Sequence, residues 1–328
     1  MRIAREICAG KAGAVTMELP SWFDTFIGLR SDRCGELVLA LEAGGVSCRI
    51  LELSGGRFIV AWPKGSTHDP RYRVKVVTAH HDRVPGTPGA LDNSAACLQL
   101  VAFLTSARPA FNTLVVFTDR EELGSHIPPA NIPSATMLSA AVPADQGSYE
   151  LGKAFSGMGL RSPMVFPLDV TGRGDTLVLS LAAHGLAGRG HYHGNSASVE
   201  ALIDETDSMA ATITKLMAGR APVFRAMVPF GEDLGFILAG VPALAVTVLP
   251  RDEAAALANL GSLPAWASPM APGLRMPGTW RHLHGPDDVP ALYTDSAFEL
   301  VDRFLDRLSA LRVPALVARP VSPPASPA

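Results

Sequence analysis

The chain has 328 residues, 48% hydrophobic and 18% charged, with a formal net charge of −3. That composition suits a domain with a large core and gives no electrostatic case for binding nucleic acid or an anionic membrane. No apolar run reaches the roughly 18 residues needed to cross a bilayer. Residues 1–19 lack the apolar centre of a secretory signal. The four cysteines are scattered, with no Cys-x-x-Cys pair, so a cytoplasmic protein with reduced thiols is expected.

Residues 18–44 carry helical periodicity through Trp22, Phe23, Phe26, Ile27, Leu37, Leu39 and Leu41 and stop at Gly44-Gly45. Strand-like runs follow at 48–53 (CRILEL), 57–62 (RFIVAW) and 73–79 (RVKVVTA), and Arg71, Arg73 and Lys75 read as a solvated strand face. A helix is expected over 92–106 and a strand over 113–118 (TLVVFT). Further strands are expected at 164–170, 175–181 and 242–249, and helices at 196–218 and 293–312. Residues 123–163 and 250–280, rich in proline and small side chains, read as insertions of the kind that form lids or pocket walls. The proline-rich residues 313–328 read as a disordered tail behind a single domain over 1–312. Short apolar runs alternating with helices predict an α/β fold, a three-layer α/β/α arrangement around a mixed, mostly parallel central sheet.

Ligands of such sheets bind beyond the carboxyl ends of the strands, and polar residues concentrate there. His80, His81 and Asp82 follow one predicted strand, Asp119, Glu121 and Glu122 the next, and Asp169 closes a third. Each has an ordinary explanation. Asp92 can cap a helix, adjacent glutamates usually form a solvated helix face, Asp169 or Asp175 can cap a turn, and "HLHGPDD" can be a polar loop. Taken jointly, His80, Asp82, Asp92, Glu121, Glu122, Asp169 and His284 are the imidazoles and carboxylates that suit zinc, or cobalt or manganese. Two such ions need about five protein ligands, one of them a bridging carboxylate, with positions open for water and substrate. The set supplies them and leaves Glu121 free to act as a general base. His81 is then the bystander of its pair. His184, His191 and His193, in the glycine-rich "AAHGLAGRGHYHGNS", read as a loop near the pocket rather than a second metal site.

The stretches "AHHD" (79–82), "GALDNSAAC" (89–97), "VVFTDREELGS" (115–125), "FPLDVTG" (166–172), "EDLGFILAGVPAL" (232–244) and "HGPDD" (284–288) stand in a familiar order. Over roughly residues 70–310 the chain resembles the co-catalytic zinc peptidases that include bacterial leucyl-type aminopeptidases, plasma glutamate carboxypeptidases and glutaminyl cyclases. The resemblance implies a zinc-exopeptidase-like fold with two zinc ions per chain. His80 and Asp169 would bind the first ion, Glu122 and His284 the second, and Asp92 would bridge them. Asp82 would orient His80, a role that a ligating imidazole needs filled, and Glu121 would be the base. His284 is preferred over His282 because the Gly-Pro-x-Asp after it fits the family pattern. Asp233 matches an acidic position that lines the pocket in some members, and His191 or His193 would lie near the substrate. The activity implied is a metal-dependent exopeptidase, most of all an aminopeptidase, acting on peptides or amino-acid derivatives with water activated by the two ions. A single-zinc glutaminyl cyclase is the alternative, and a non-catalytic binding module the third reading. Three features depart from the family. Ala95-Ala96 replace a small, often glycine, position after the bridging aspartate, a second glycine-serine element after the glutamate pair is missing, and the spacings on either side of Asp169 are long, while Leu283, where cyclases usually carry tryptophan, counts against the cyclase reading. They leave the substrate open.

Overall fold

The chain's β-branched and apolar runs become strands, and the order in which those strands assemble places every polar group discussed above. The computed structural model describes residues 18–122, 146–186, 196–228, 231–260 and 277–315. Its strands are β1 (Cys48–Leu53), β2 (Gly56–Ala61), β3 (Lys75–His80), β4 (Thr113–Thr118), β5 (Met164–Pro167), β6 (Thr176–Ser180), β7 (Val223–Ala226) and β8 (Val246–Leu249). Its helices are α1 (Ser21–Ile27), α2 (Arg33–Ala43), α3 (Ala95–Thr105), α4 (Gly147–Ala154), α5 (Ala182–Leu186), α6 (Ser196–Met217), α7 (Asp233–Leu238), α8 (Arg251–Asn259) and α9 (Asp295–Ala310).

The strands run β1-β2-β4-β3-β5 in one sheet and β7-β6-β8 in another. Parallel bridges Val165↔Ala243 and Leu168↔Val246 join β5 to the β8 segment, making one continuous surface. β3 pairs parallel with β4 and β5, and β6 with β7, whereas β1–β2, β2–β4 and β6–β8 are antiparallel. The sheet is therefore mixed, as expected, with a narrow parallel majority. β3, β4, β5, β6 and β8 are buried along their whole length, which is why they read as unbroken apolar runs.

Alternate residues of the central strands feed two cores. Val77, Ala79, Val115 and Phe117 pack on one face with Phe23, Phe26, Leu41, Leu104, Ile213 and Phe304, from α1, α2, α3, α6 and α9. Val76, Leu114 and Val116 pack on the other with Leu151, Phe155, Phe236 and Ile237, from α4, α7 and the turns beside them. These are the three layers predicted. Among the described residues, no helix is long and apolar enough to cross a membrane.

Several local expectations are corrected. Arg73 and Lys75 are 4% and 1% exposed, not a solvated face. Arg73 donates to the carbonyls of Ser162 and Pro163 and pairs with Glu205. The Lys75 ammonium donates to the Leu311 and Ser309 carbonyls at the end of α9, where the helix dipole favours a cation. Part of the first supposed insertion is core. α4 and the residue after it bury Leu151 and Phe155, and Phe155 stacks on Phe236 with ring centroids 5.7 Å apart. Part of the second is α8, whose Ala254 and Leu257 pack on Val178 and Leu249. The start of the tail is tied down through Arg73 N–H to Val313 O and Ala315 N–H to Arg71 O. Residues 123–145, 261–276 and 316–328 lie outside the described residues. The helix expected over 92–106 begins only at Ala95. Before it comes a wide turn, Ala90–Ser94, in which Asp92 and Asn93 leave helical backbone geometry. Cys34, Cys48 and Cys97 are free thiols.

Candidate metal centre

Strand pairing brings the polar stretches together. The parallel register sets His80 beside Thr118, so His80–Asp82 and Asp119–Glu122 leave the sheet side by side. On the opposite flank of β3, Thr78 pairs with Pro167, which puts Asp169 just past the same edge. The Ala90–Ser94 turn delivers Asp92. It opens on Gly89 at φ 62°, where a Cβ would stand 2.7 Å from the Asp92 carbonyl oxygen, so only glycine fits.

The two oxygens of Asp92 face two different histidines. Oδ1 lies 3.1 Å from His80 Nε2 and Oδ2 lies 3.0 Å from His284 Nε2. Asp169 Oδ1 is 3.7 Å from His80 Nε2, and Glu122 Oε1 is 3.5 Å from His284 Nε2. Ligand atoms of His80, Asp92 and Glu122 all fall within 4.8 Å of one another. The side chains thus form two adjoining groups, His80/Asp92/Asp169 and His284/Asp92/Glu122, with Asp92 common to both. Asp82 braces the first. Its Oδ1 is 3.4 Å from His80 Nδ1, and its Oδ2 accepts the Glu122 backbone N–H at 2.9 Å. His81 turns away, with Nε2 2.8 Å from the Arg57 carbonyl oxygen. Glu122 is 5% exposed, while its neighbour Glu121 keeps more surface open to solvent.

Charge and burial are in tension throughout. Burial disfavours a charged His80, but Glu121 and the carboxylates of Asp169, Asp82 and Asp92 outweigh it and hold its pKa well above the usual imidazole range. Hydrogen bonding to Asp92 and Glu122 pushes His284 up to about 11. Burial would raise Asp92, yet the two histidines hold it below the usual carboxylate range. Burial, then the neighbouring carboxylates, pushes Glu122 up, and burial likewise holds Glu121 well above its ordinary value. Each imidazole proton offsets carboxylate charge that a cation would otherwise neutralise, and a ligating imidazole must first lose that proton. His80 Nδ1 and Nε2, Asp82 Oδ1 and Asp169 Oδ1 are buried without a hydrogen bond. Buried polar atoms are seldom left so, and imidazole and carboxylate are the donor set zinc takes. The residues present fit a metal centre.

Asp233 is buried. It is 1% exposed and its Oδ2 accepts the Ala245 N–H at 3.3 Å, so its carboxylate anchors α7 to the strand behind it. His191 and His193 lie outside the described residues. His184 Nε2 lies 2.8 Å from Asp207 Oδ1, which also binds Arg225. Two acidic residues went unread in the sequence. Glu232 is 1% exposed, accepts the Thr78 hydroxyl at 3.1 Å, and is pushed up to about 7 by burial. Asp288 is fully buried and accepts backbone N–H groups of the turn that carries Asp92. The "HGPDD" stretch marked Asp288 as part of a pattern, but nothing local showed what it would touch.

Residues 58–259 match the model of peptidase family M28. The fold is similar to the LapA aminopeptidase of Legionella pneumophila, at 13% identity and TM-score 0.51, over 87% of this chain and 62% of that one. It is similar to the glutaminyl cyclase of Tannerella forsythia, at 15% identity and TM-score 0.52, over 89% and 98%. BSAP, a zinc aminopeptidase from Bacillus subtilis, aligns at 16% identity and TM-score 0.46, over 76% and 48%. The chain therefore spans less than two thirds of either aminopeptidase. No curated protein matches the sequence significantly. With more than half of its length matching the family model, the chain belongs to peptidase family M28.

Proposed function

We propose that this chain is a metallopeptidase, a zinc aminopeptidase in which Asp92 would serve both of two ions and Glu121 would be the general base. The observation that carries the reading is the split of the Asp92 carboxylate, one oxygen toward His80 and the other toward His284. His80, Asp92 and Asp169 would hold one ion, and His284, Asp92 and Glu122 the other. Bound ions supply a Lewis acid for the scissile carbonyl and lower the pKa of the attacking water. Asp82 keeps the His80 ring in its ligating orientation. Glu121 takes a proton at its carboxylate during attack and returns it to the departing amine. Its partial exposure leaves it open to substrate.

The choice of an amino-terminal substrate rests on charge. Asp82, Asp92, Glu122 and Asp169 lie against His80 and His284, with Glu121 beside Glu122. Two zinc ions would offset four of these five carboxylate charges, and the negative charge left over favours a free α-ammonium group over a terminal carboxylate.

The test is elemental analysis of protein purified without chelator, as wild type and as Asp92→Ala, together with turnover of aminoacyl anilides. The expected result is close to two zinc ions per chain, lost in the variant, with anilide hydrolysis. One tightly held ion, with ammonia released from peptides that begin with glutamine, identifies a glutaminyl cyclase instead. A folded protein holding no metal overturns both.

A further inference from the structure

α2 begins with Arg33, a guanidinium that is only 6% exposed. Its Cζ sits 4.2 Å from the centroid of the Phe26 ring, and its Nη2 donates to Ser94 Oγ at 2.9 Å. Nε and Nη1 are buried without hydrogen bonds, and among the described residues no carboxylate forms an ion pair with it. A buried charge of this kind is costly, and an apolar residue would fill the same place beside Phe26 more cheaply. Arg33 also lies outside the family-matching span, 58–259.

Its one hydrogen-bond acceptor explains its position. The Ser94 hydroxyl accepts from Arg33 and donates to the Gly89 carbonyl, and the Ser94 N–H donates to that same carbonyl at 3.1 Å. Gly89 and Ser94 are the two ends of the turn that carries Asp92, so Arg33 locks the hydroxyl that closes it. Other parts of the chain hold the rest of the turn. Asn93 Nδ2 donates to Leu168 O at 2.7 Å, and the Tyr293 hydroxyl donates to Ala90 O at 2.8 Å. Although burial works against the charge on Arg33, Asp82 and Asp92 are close enough to favour it.

We infer that Arg33 is a positioning residue of the metal centre, acting through Ser94 to hold the Asp92 carboxylate between His80 and His284. A residue that orients a ligand without touching the ion typically contributes about 10- to 100-fold in metal affinity. The inference rests on the metal-centre reading given above.

The experiment measures zinc affinity, by competition with a chromophoric chelator, for wild type, Arg33→Met, Ser94→Ala and the double variant. Thermal unfolding of each metal-free protein is followed in parallel. Each single variant is expected to bind zinc about 10- to 100-fold more weakly. The double variant should be no weaker than the worse single, because both substitutions break the same contact. A folded Arg33→Met that binds zinc as tightly as wild type, or losses that simply add in the double variant, overturns the inference. A lowered melting temperature with unchanged affinity does the same, since it assigns Arg33 to packing alone. If Arg33→Met does not fold, Ser94→Ala carries the test, since it removes the hydroxyl through which Arg33 acts, both the acceptor for Arg33 and the donor to the Gly89 carbonyl. Wild-type protein that binds no zinc overturns the metal-centre reading itself, whereas tight wild-type binding with unaffected variants removes only Arg33.

Discussion

The carboxylate of Asp288 accepts the backbone N–H of Leu91 at 2.6 Å and that of Asp92 at 3.2 Å. Four residues earlier in the same loop, His284 approaches the Asp92 side chain at 3.0 Å. One short segment near the C-terminal helix therefore supplies a side chain to the site and also anchors the turn that opposes it. Asp288→Asn replaces one acceptor oxygen with an amide that points hydrogens at a backbone N–H. Metal affinity should fall roughly 10- to 100-fold, with the fold retained. Metal content after dialysis against a weak chelator, beside a circular dichroism spectrum, checks it. Wild-type retention of metal would show that the clamp is dispensable.

Glu121→Gln keeps the shape of the side chain and removes the proton acceptor. The variant should retain its full complement of metal and lose about 100- to 10,000-fold in kcat, the usual contribution of a general base. Elemental analysis and anilide turnover on one preparation separate the two effects. Turnover near wild type would rule out both roles, because the amide carries neither the base nor the charge.

Asp169 and Glu122 belong to different ligand groups, 3.7 Å from His80 and 3.5 Å from His284 respectively. Asp169→Asn and Glu122→Gln should each cost one ion per chain, in contrast to the loss of both in Asp92→Ala. Zinc-to-protein ratios for the three variants decide this. Equal ratios in all three would mean that the two groups do not act as separate sites.

Lys75 gives a stability test remote from the chemistry. Burial, helped by Arg312, pushes its pKa down to about 7, against about 10.4 for an unfolded lysine. Between those values the unfolded chain holds a proton that the folded chain does not, so stability rises with pH across that window. The cost of burying the ammonium is present in full below about pH 7. Lys75→Met should remove this slope. Urea unfolding at about pH 7 and pH 9.5 should show wild type gaining on the order of a few kcal/mol relative to the variant. Parallel curves for the two proteins would contradict the shift.

What the sequence determined by itself was local. β1 and β4 are read at their observed bounds because an apolar or β-branched run closed by turn residues carries a strand signal. His80, Asp82, Glu121, Glu122 and Asp169 are legible because their residue types follow strands, and Asp92 and His284 because the whole set stands in the order of the family that the chain resembles. β7, α5 and α7 escape notice because elements of four to six residues are too short to establish a period. Tertiary structure alone decided which Asp92 oxygen faces which histidine, that Asp233 is buried against the Ala245 N–H, and that Lys75 reaches the carbonyl of a residue 236 positions away. It also brought Arg33 and Asp288, from opposite ends of the chain, to the same six-residue turn. The physical reason is that a buried polar group finds its partner through packing. Packing joins residues that share no pattern along the chain.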